Sequence, residues 1–344
     1  MHLFLYLQSS LVPTRSNFVK KALFTFFFLS LLTNPLCKSE ELLDIRFATD
    51  WRAQAEQGGF YQALALGLYE EKGLRVKIIQ GNAGVNIPRL LAFGEVDFGI
   101  GSNSFIPLNM VANGLPGKAV MASFQKDPQI IMTHPSSSVE IIEDMQNKPI
   151  MISEASIGAF WLWLKSKYSF SDNQIRKKTF SLAPFIINKE AIQQGYLTSE
   201  PYLVEKELGR LPKIFLLADY GYPSYGAMIL ASGEIIKKRP NAVKGFVEAS
   251  IEGWKSYIYD NPYKGNQLIM RENREMTEEI LLQAIEKIRQ YNLISNDALK
   301  RDVGLMEKKI WNDFFKIMSE NGVYEKDLNW EDAFTLDFLN EDNN

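Results

Sequence analysis

The chain has 344 residues, of which 46% are hydrophobic and 23% charged, so it is long enough to bury a sizeable core and to divide into two domains. Its 38 basic and 41 acidic residues give a formal net charge of −3, which argues against a nucleic-acid or anionic-membrane partner. The one cysteine, Cys37, lies near the amino terminus. This excludes a disulfide and a thiolate metal site from the rest of the chain.

Residues 1–39 have the order of a secretory signal peptide. Three basic residues, Arg15, Lys20 and Lys21, precede an apolar run at residues 22–32. That run falls short of the roughly 20 residues needed to cross a bilayer, and a polar stretch with small residues follows it. The sequence therefore predicts export, and a periplasmic location for the mature protein.

Cleavage is expected after Ser39, which places Cys37 at position −3 of the cleavage site. One alternative is a lipoprotein anchored through Cys37. The large Leu36 directly before the cysteine disfavours it, because a small residue is expected there. The other alternative is an uncleaved membrane anchor.

The folded part begins with an alternating run over Leu43–Ala48, which predicts a strand. A polar corner follows it and ends at Gly58-Gly59, where a helix with an apolar face begins. Ligands of open α/β sheets bind at such corners, where strands end. Trp51 is expected to be the stacking surface of a pocket for a small molecule, with Gln57 donating to and accepting from a ring amide. Glu56, in the same corner, has the alternative interpretation of a solvated loop charge.

Strands at 74–79 and 96–100 then alternate with helices at 87–93 and 105–112, joined by short glycine-rich corners. This alternation is typical of a parallel α/β sheet. The corners at 84–86 and 101–103 follow strands, so they are expected to converge with Trp51 on one rim.

A second α/β unit follows strands at 120–124 and 129–133. It is predicted to contain a helix at 139–145, strands at 149–153, 179–183, 195–200 and 215–218, and helices at 159–167, 189–194 and 201–207. A strand at 227–231 and amphipathic helices complete the chain. The fold class predicted from this order is α/β with two parallel-type sheets and flanking helices.

Several stretches together resemble the periplasmic substrate-binding proteins of ABC importers, in the branch of thiamine-pyrimidine, sulfonate and nitrate receptors. They are Asp50-Trp51 with residues 58–63, then residues 94–99, 194–202, 218–225 and 240–254. The resemblance implies a type II binding protein with two lobes, a two-strand hinge and a ligand cleft between the lobes. The implied division is a signal peptide at 1–39, lobe 1 at 40–130 and 224–344, and lobe 2 at 131–223.

Thiamine-pyrimidine synthases are similar over the same stretches and are the alternative from a different functional class. They carry a cysteine-rich signature and a histidine used in their chemistry. Here Gln57 occupies the position of that histidine, and no cysteine follows Cys37. His134, the only histidine outside the leader, has no Gly-x-Ser-x-Gly motif to accompany it. We therefore expect a binding protein without catalytic residues, metal or cofactor.

The residues expected to contact the ligand combine the corners with two acids, Glu154 and Glu200, and two tyrosines. Glu200 precedes Pro201 at the start of a helix, where an acid either stabilises the helix end or faces the cleft and accepts hydrogen bonds from an exocyclic amine. The full expected set is Trp51, Gln57, Tyr61, Gly84, Asn86, Ser102, Asn103, Glu154, Glu200 and Tyr222.

The predicted function is capture of a small, flat heterocycle, best matched by a thiamine-precursor pyrimidine, for an ABC permease and ATPase at the inner membrane. The protein is expected to be a monomer. Riboflavin, sulfonate and nitrate are the alternative ligands. The last two are disfavoured because Arg52 is the only arginine at the rim corners.

Overall fold

The computed structural model describes residues 41–82, 84–179, 181–295 and 302–339. The predicted leader and Cys37 lie outside these ranges, so cleavage after Ser39 stays a prediction. From Leu42 onward the chain forms one compact unit. Within the described ranges no helix is both long enough and apolar enough to cross a bilayer.

The described strands, in chain order, are β1 (Leu43–Ala48), β2 (Leu74–Ile79), β3 (Phe98–Asn103), β4 (Lys118–Phe124), β5 (Gln129–Thr133), β6 (Ile150–Ile152), β7 (Ile175–Lys177), β8 (Ile192–Tyr196), β9 (Lys213–Leu216) and β10 (Gly226–Ala231). The described α-helices are α1 (Gly58–Leu66), α2 (Leu68–Glu71), α3 (Ile87–Ala92), α4 (Phe105–Ala112), α5 (Glu154–Ile157), α6 (Phe160–Tyr168), α7 (Ala183–Ile187), α8 (Glu200–Leu208), α9 (Gly233–Lys238), α10 (Pro240–Tyr259), α11 (Tyr263–Glu272), α12 (Glu278–Gln290) and α13 (Lys308–Glu320). Short 3-10 helices cover Ala55–Gln57, Ile142–Met145, Asp172–Gln174, Leu217–Tyr220 and Trp330–Ala333.

The strands form two five-stranded sheets with one shared plan. The first sheet has the order β2-β1-β3-β10-β4, and the second has the order β7-β6-β8-β5-β9. In each sheet three neighbouring strands run parallel, and the fourth strand in the order runs antiparallel to both of its neighbours. The two-sheet α/β fold is thereby confirmed, although each sheet is mixed rather than wholly parallel.

The antiparallel strand of each sheet is the one that enters from the other half of the chain. Strand β5 follows the first sheet's β4 but lies in the second sheet, and β10 follows the second sheet's β9 but lies in the first. The chain therefore crosses between the sheets at residues 125–128 and 217–225. We call the halves built on the first and second sheets lobe 1 and lobe 2. The boundaries predicted at 130/131 and 223/224 stay predictions.

Aromatic side chains fill the space between the first sheet and its helices. The Phe98 and Phe246 rings stack with centroids 4.1 Å apart, and Phe47 packs edge-on against Phe60 and Phe246 at 5.0 and 5.2 Å. These residues come from β3, α10, β1 and α1. The helix that follows the Trp51 corner is therefore fixed rigidly to the sheet.

Helices α1 and α10 approach each other at glycines. A Cβ atom built on Gly59 would lie 2.2 Å from the Trp254 ring, and one on Gly253 would lie 2.4 Å from the backbone oxygen of Gly59. Real Cβ atoms essentially never come so close to another atom. The Gly58-Gly59 pair, predicted as a turn, is thus the first turn of α1 and permits this close crossing.

The predicted elements of lobe 2 are wrong at three places. The strand predicted at 179–183 is absent from the described residues there, and the strand of that region is β7, which ends before it. The helix predicted at 189–194 gives way to β8, whose Ile-Gln-Gln-Gly-Tyr sequence is held between β5 and β6. Pairing on both sides overrides the helix propensity of the glutamines. The helix predicted at 139–145 is reduced to the 3-10 turn Ile142–Met145.

The carboxyl-terminal helices pack on lobe 1, as predicted. The Phe314 ring of α13 lies 4.9 Å from Phe105 of α4, and Trp311 stacks on Phe334 at 4.9 Å. Phe334 in turn bridges to Ala119 of β4. Helix α12 differs from α13, because it also contacts lobe 2.

Candidate functional site

The corner after β1 is held by hydrogen bonds between two strand ends. The Thr49 hydroxyl donates to the Trp51 backbone oxygen at 2.6 Å, and the Gly81 amide after β2 donates to the Thr49 hydroxyl at 3.1 Å and to the Trp51 oxygen at 3.2 Å. A Cβ on Gly81 would lie 2.2 Å from the backbone oxygen of Thr49, so only glycine allows the two strand ends to come this close. The half-buried Trp51 side chain is therefore presented from a fixed backbone.

Asp50 connects the corner to the end of β3. The Ser102 hydroxyl donates to Asp50 Oδ2 at 2.6 Å. Burial raises the pKa of Asp50, while the hydrogen bond from Ser102 and the proximity of Gln57 favour its ionised form. Ser102 and Gln57, both expected at the site, are thus brought together around one carboxyl group. Asp50 was not in the expected set, although it directly precedes Trp51.

Glu56 is buried at the boundary between the lobes. Its side chain is only 7% exposed, so the interpretation as a solvated loop charge is wrong. The hydroxyl of Thr198, a residue that follows β8 in lobe 2, donates to Glu56 Oε1. Burial raises the pKa of Glu56, and the charges of Glu200 and Asp50 raise it further. This contact joins the two lobes across the cleft.

Glu200 lies close to Glu56 but makes its own contacts within lobe 2. Lys178 Nζ lies 2.6 Å from Oε1, and the Tyr196 amide donates to Oε2 at 2.8 Å. The ion pair is largely shielded from water, with Lys178 and Glu200 side chains 18% and 16% exposed. The carboxylate therefore fastens the end of β8 to the start of α8. Its predicted contact with a ligand stays a prediction.

Tyr196, at the carboxyl end of β8, completes the wall opposite the corner. Burial raises the pKa of its hydroxyl well above the usual value, and the charges of Asp127, Asp50 and Glu56 raise it further. The half-buried ring thus lies near two acids of lobe 1, Asp50 and Glu56, and near Asp127 of the crossing at 125–128. Tyr196 and Thr198 are not in the expected set, although the strand predicted at 195–200 contains both residues.

The remaining expected residues occupy varied places. Asn86 accepts a hydrogen bond from the Arg89 amide at 3.0 Å and so caps α3, while Asn103 accepts one from the Phe105 amide at 3.1 Å. The exposed residues of the set are Gly84, Asn86 and Glu154. Its buried residues are Gln57, Tyr61 and Tyr222.

The two tyrosines lie inside the protein. The Tyr222 ring is 5.2 Å from Trp163 and belongs to the crossing at 217–225. Burial raises the pKa of both phenols. Ligand contacts by Tyr61, Tyr222, Gly84, Asn86, Asn103 and Glu154 stay predictions.

Helix α12 reaches from lobe 1 to lobe 2 beside the cleft. Gln283 Nε2 donates to the Thr198 backbone oxygen at 2.8 Å, and Glu279 accepts from Tyr202 and lies 3.1 Å from Lys206 Nζ on α8. Just before α12, Glu275 lies 2.8 Å from Arg52 of the Trp51 corner. These contacts place a carboxyl-terminal helix at the closure between the lobes.

Asp127 lies in the crossing at 125–128. It is 3% exposed, and the Gln129 amide donates to its Oδ1 at 2.9 Å. Burial raises its pKa to about 7, although hydrogen bonds from Gln129 and from Ser224 of the other crossing favour the ionised form. Asp127 therefore connects both crossings and titrates in the physiological range.

We expect Asp127→Asn to make the stability of the protein less sensitive to pH between about pH 4 and pH 8. A carboxyl whose pKa is raised on folding contributes stability below its unfolded pKa, and this contribution is lost as pH rises through the folded value of about 7. The variant keeps the acceptor oxygen but cannot ionise. As pH rises from about 4 to about 8, the free energy of unfolding of the wild type should fall relative to that of the variant, by at most about 4 kcal/mol.

Urea unfolding at several pH values measures this difference. The exposed Asp327, replaced by asparagine, is the control. If the difference in free energy of unfolding between Asp127→Asn and the wild type does not change with pH, Asp127 does not have a raised pKa in the folded protein.

The family is decided by a match over most of the folded part. The family model described as "NMT1/THI5 like" matches residues 54–264, which include Glu56 and Gln57, both crossings and all of lobe 2. The chain belongs to the NMT1/THI5-like family. Two curated relatives of this NMT1/THI5-like chain bear directly on its function.

The formylaminopyrimidine-binding protein of Halalkalibacterium halodurans is 22% identical over 329 residues, which cover 90% of this chain and 94% of the relative. The 4-amino-5-hydroxymethyl-2-methylpyrimidine phosphate synthase of Schizosaccharomyces pombe is 24% identical over 254 residues, which cover 65% of this chain and 71% of the relative. This chain is thus similar both to a binding protein and to a synthase.

Solved structures show the same fold. The periplasmic aliphatic sulphonate binding protein SsuA from Escherichia coli superposes with a TM-score of 0.64 at 13% identity, over 85% of this chain and 92% of its own. The likeness confirms the predicted resemblance in fold to periplasmic binding proteins.

Proposed function

We propose that this protein is the substrate-binding component of an ABC importer and that it captures a thiamine-related aminopyrimidine between its lobes. The observation that carries the proposal is the wall formed by Trp51, Asp50 and Glu56 on lobe 1, which meets Thr198 of lobe 2. A flat ring stacks on an indole, and carboxyl oxygens accept hydrogen bonds from an exocyclic amino group. The formylaminopyrimidine-binding relative, which this chain matches over 90% of its length, supports the same class of ligand.

The charges of the cleft favour a ligand with hydrogen-bond donors over an anion. Asp50, Glu56 and Glu200 contribute carboxyl groups that raise the pKa of Glu56 or of Tyr196. Two basic side chains near them, Lys178 and Arg52, already pair with Glu200 and Glu275. A sulfonate or nitrate would enter beside buried carboxyl groups, at a considerable electrostatic cost.

The same arrangement supports binding rather than synthesis. By resemblance, Gln57 occupies the position of the histidine in the synthases. Its side chain is buried and accepts a hydrogen bond from the Gln54 amide at 3.1 Å. An amide cannot exchange a proton near neutral pH as an imidazole does. The protein would then work through closure around its ligand, with higher affinity in the closed state than in the open one.

The partners follow from this role. The predicted leader would deliver the protein to the periplasm, where it would hand its ligand to a permease and ATPase at the inner membrane. We propose that it does so as a monomer, because its closure contacts, such as that of Gln283 with Thr198, lie within one chain.

A thermal-shift screen of the protein expressed as the full chain tests the proposal. The probes are formylaminopyrimidine, 4-amino-5-hydroxymethyl-2-methylpyrimidine, thiamine, riboflavin, an alkanesulfonate and nitrate. A ligand at about 100 times its Kd adds roughly 2.7 kcal/mol to the folded state. We expect the two aminopyrimidines to raise the Tm most. A shift with sulfonate or nitrate alone would contradict the proposed ligand, and pyrimidine synthesis in the presence of iron and a pyridoxal cofactor would contradict the binding role.

A further inference from the structure

Acidic groups from both lobes face one another, and within the described residues no cationic side chain is among the groups that shift the pKa of Asp50 or Glu56. Glu56, from the corner of lobe 1, reaches Thr198 of lobe 2, and Asp50 lies on the same corner. Glu200 of lobe 2 is near enough to raise the pKa of Glu56. Its partner Lys178 is bound to Glu200 itself. Closing the lobes therefore brings like charges together in a site from which water is largely removed.

The groups that face Glu56 come from several elements. Asp50 lies on its own corner, Glu200 opens α8, and Tyr196 ends β8. Burial raises the pKa of Tyr257 of α10, and the charge of Glu56 raises it further. The Tyr257 hydroxyl donates to Asn266 at 2.7 Å rather than to Glu56. Neutral or acidic groups thus surround the Glu56 carboxyl group.

Two buried carboxyl groups in such surroundings are stable only if a proton or a cation accompanies them. In the open state the lobes separate, and Glu56 regains water and ionises at neutral pH. On closure the compensating proton must enter with the ligand or from the solvent. The hydroxyls of Ser102 and Thr198 donate hydrogen bonds but carry no positive charge.

We propose that Glu56, together with Asp50, is a specificity-determining residue that selects a basic ring nitrogen, so that capture of the ligand takes up one proton from the solvent. This inference rests on the proposed function, because the ring of an aminopyrimidine contains a basic nitrogen. The proton comes from the buffer and ends between the ring nitrogen and the Glu56 carboxyl group. The bond between this proton and the buffer acid is broken, an N–H or O–H bond in the closed site replaces it, and no bond between two heavy atoms is made or broken. The raised pKa values of Asp50 and Glu56 agree with this proton being held in the closed site.

Titration calorimetry at about pH 8 measures the proton directly. 4-Amino-5-hydroxymethyl-2-methylpyrimidine is titrated into the protein, expressed as the full chain, in two buffers of different ionisation enthalpy. The slope of the binding enthalpy against the buffer enthalpy gives the number of protons taken up. We expect about one proton for the wild type and about none for Glu56→Gln, which keeps an acceptor oxygen but cannot ionise. The Kd should also rise about tenfold per pH unit above the pKa of the ring.

Matched controls separate this effect from loss of fold. Glu71→Gln removes an exposed carboxyl group at the end of α2 and should keep both the affinity and the proton uptake. Asp50→Asn is the second test variant, should Glu56→Gln fail to fold. The 4-oxo counterpart of the probe lacks the basic nitrogen, and we expect it to bind at least tenfold more weakly and without proton uptake.

The possible results are distinct. Binding of the aminopyrimidine with no proton uptake, or equal binding of the 4-oxo counterpart, would overturn this inference and leave the proposed function standing. Failure of the aminopyrimidine to bind while the protein is folded would overturn both. Proton uptake that persists in both Glu56→Gln and Asp50→Asn would assign the proton to another group and overturn the role of this pair.

Discussion

Replacing Gly253 by alanine is expected to lower the free energy of unfolding by about 3 kcal/mol. The added Cβ would lie 2.4 Å from the Gly59 backbone oxygen, 2.6 Å from the Ala63 Cβ and 2.9 Å from the Ala63 amide nitrogen. Two of these three atoms are backbone atoms of α1, so no change of side-chain rotamer relieves the overlap. The helices α1 and α10 would have to separate, and the aromatic packing beside them would be lost with the contact.

Guanidinium unfolding of the two proteins measures this effect. The control is Gly158→Ala, because a Cβ at the exposed Gly158 meets nothing within 4 Å. Its free energy of unfolding should stay within about 0.5 kcal/mol of the wild type. A loss of less than about 1 kcal/mol for Gly253→Ala would show that the crossing of α1 and α10 is looser than described.

Replacing Trp51 by alanine is expected to weaken aminopyrimidine binding by roughly 10- to 100-fold. Stacking of a base on an aromatic side chain contributes about 1–3 kcal/mol by alanine substitution, and each 1.4 kcal/mol is a factor of ten in Kd. The backbone of Trp51 is fixed by Thr49 and Gly81, so the substitution removes the ring without releasing the corner. Because the side chain is half-buried, the stability of the protein should change much less than its affinity.

Calorimetric titration of the variant with 4-amino-5-hydroxymethyl-2-methylpyrimidine provides the measurement. Trp51→Phe is the matched control, since it retains an aromatic face and should lose only part of the affinity. An unchanged Kd for Trp51→Ala would show that the ring binds elsewhere, and the lobe 1 corner would then not be the wall of the pocket.

The first half of the chain could be predicted closely because its signals are local. The alternation in β1 and β2 matches the strand bounds, and Gly58-Gly59 marks the start of α1. Trp51 and Gln57 were assigned to one corner from these signals, and the structure places both there. In this region burial on one face of each element and the residue pattern agree.

The second half was less predictable because its strands depend on their neighbours. The short β7 and β6 pair over only three residues. Strand β8 contains glutamines that favour a helix in isolation but pairs on both sides in the sheet. Tyr196 ends β8 and Thr198 follows it, and their approach to the acids of the lobe 1 corner depends on the tertiary fold rather than on the local sequence.

Glu56 shows a different limit of sequence reasoning. Its neighbours along the chain are polar and glycine-rich, which is typical of an exposed loop. Its burial comes from Thr198, which lies 142 positions away in the sequence. Only the tertiary fold brings the two residues together, so the local sequence could not distinguish a solvated carboxylate from one at the centre of a cleft.

Helix α12 adds a physical account of closure. Its contacts with Thr198, Tyr202 and Lys206 cross from lobe 1 to lobe 2 on the same side as the Glu56 contact. The contacts of Glu279 with Tyr202 and Lys206 join exposed groups and contribute little individually, while the hydrogen bond from Gln283 reaches the buried Thr198. They therefore suit a protein whose two lobes must close on a ligand and open again to release it.

A crystal structure of the protein with 4-amino-5-hydroxymethyl-2-methylpyrimidine would test the central claim most directly. The account predicts the ring between the lobes, stacked on Trp51, with its amino edge about 2.8–3.1 Å from a carboxyl oxygen of Asp50 or Glu56. A ring bound outside this cleft, or one whose amino edge faces away from both carboxyl groups, would contradict the account.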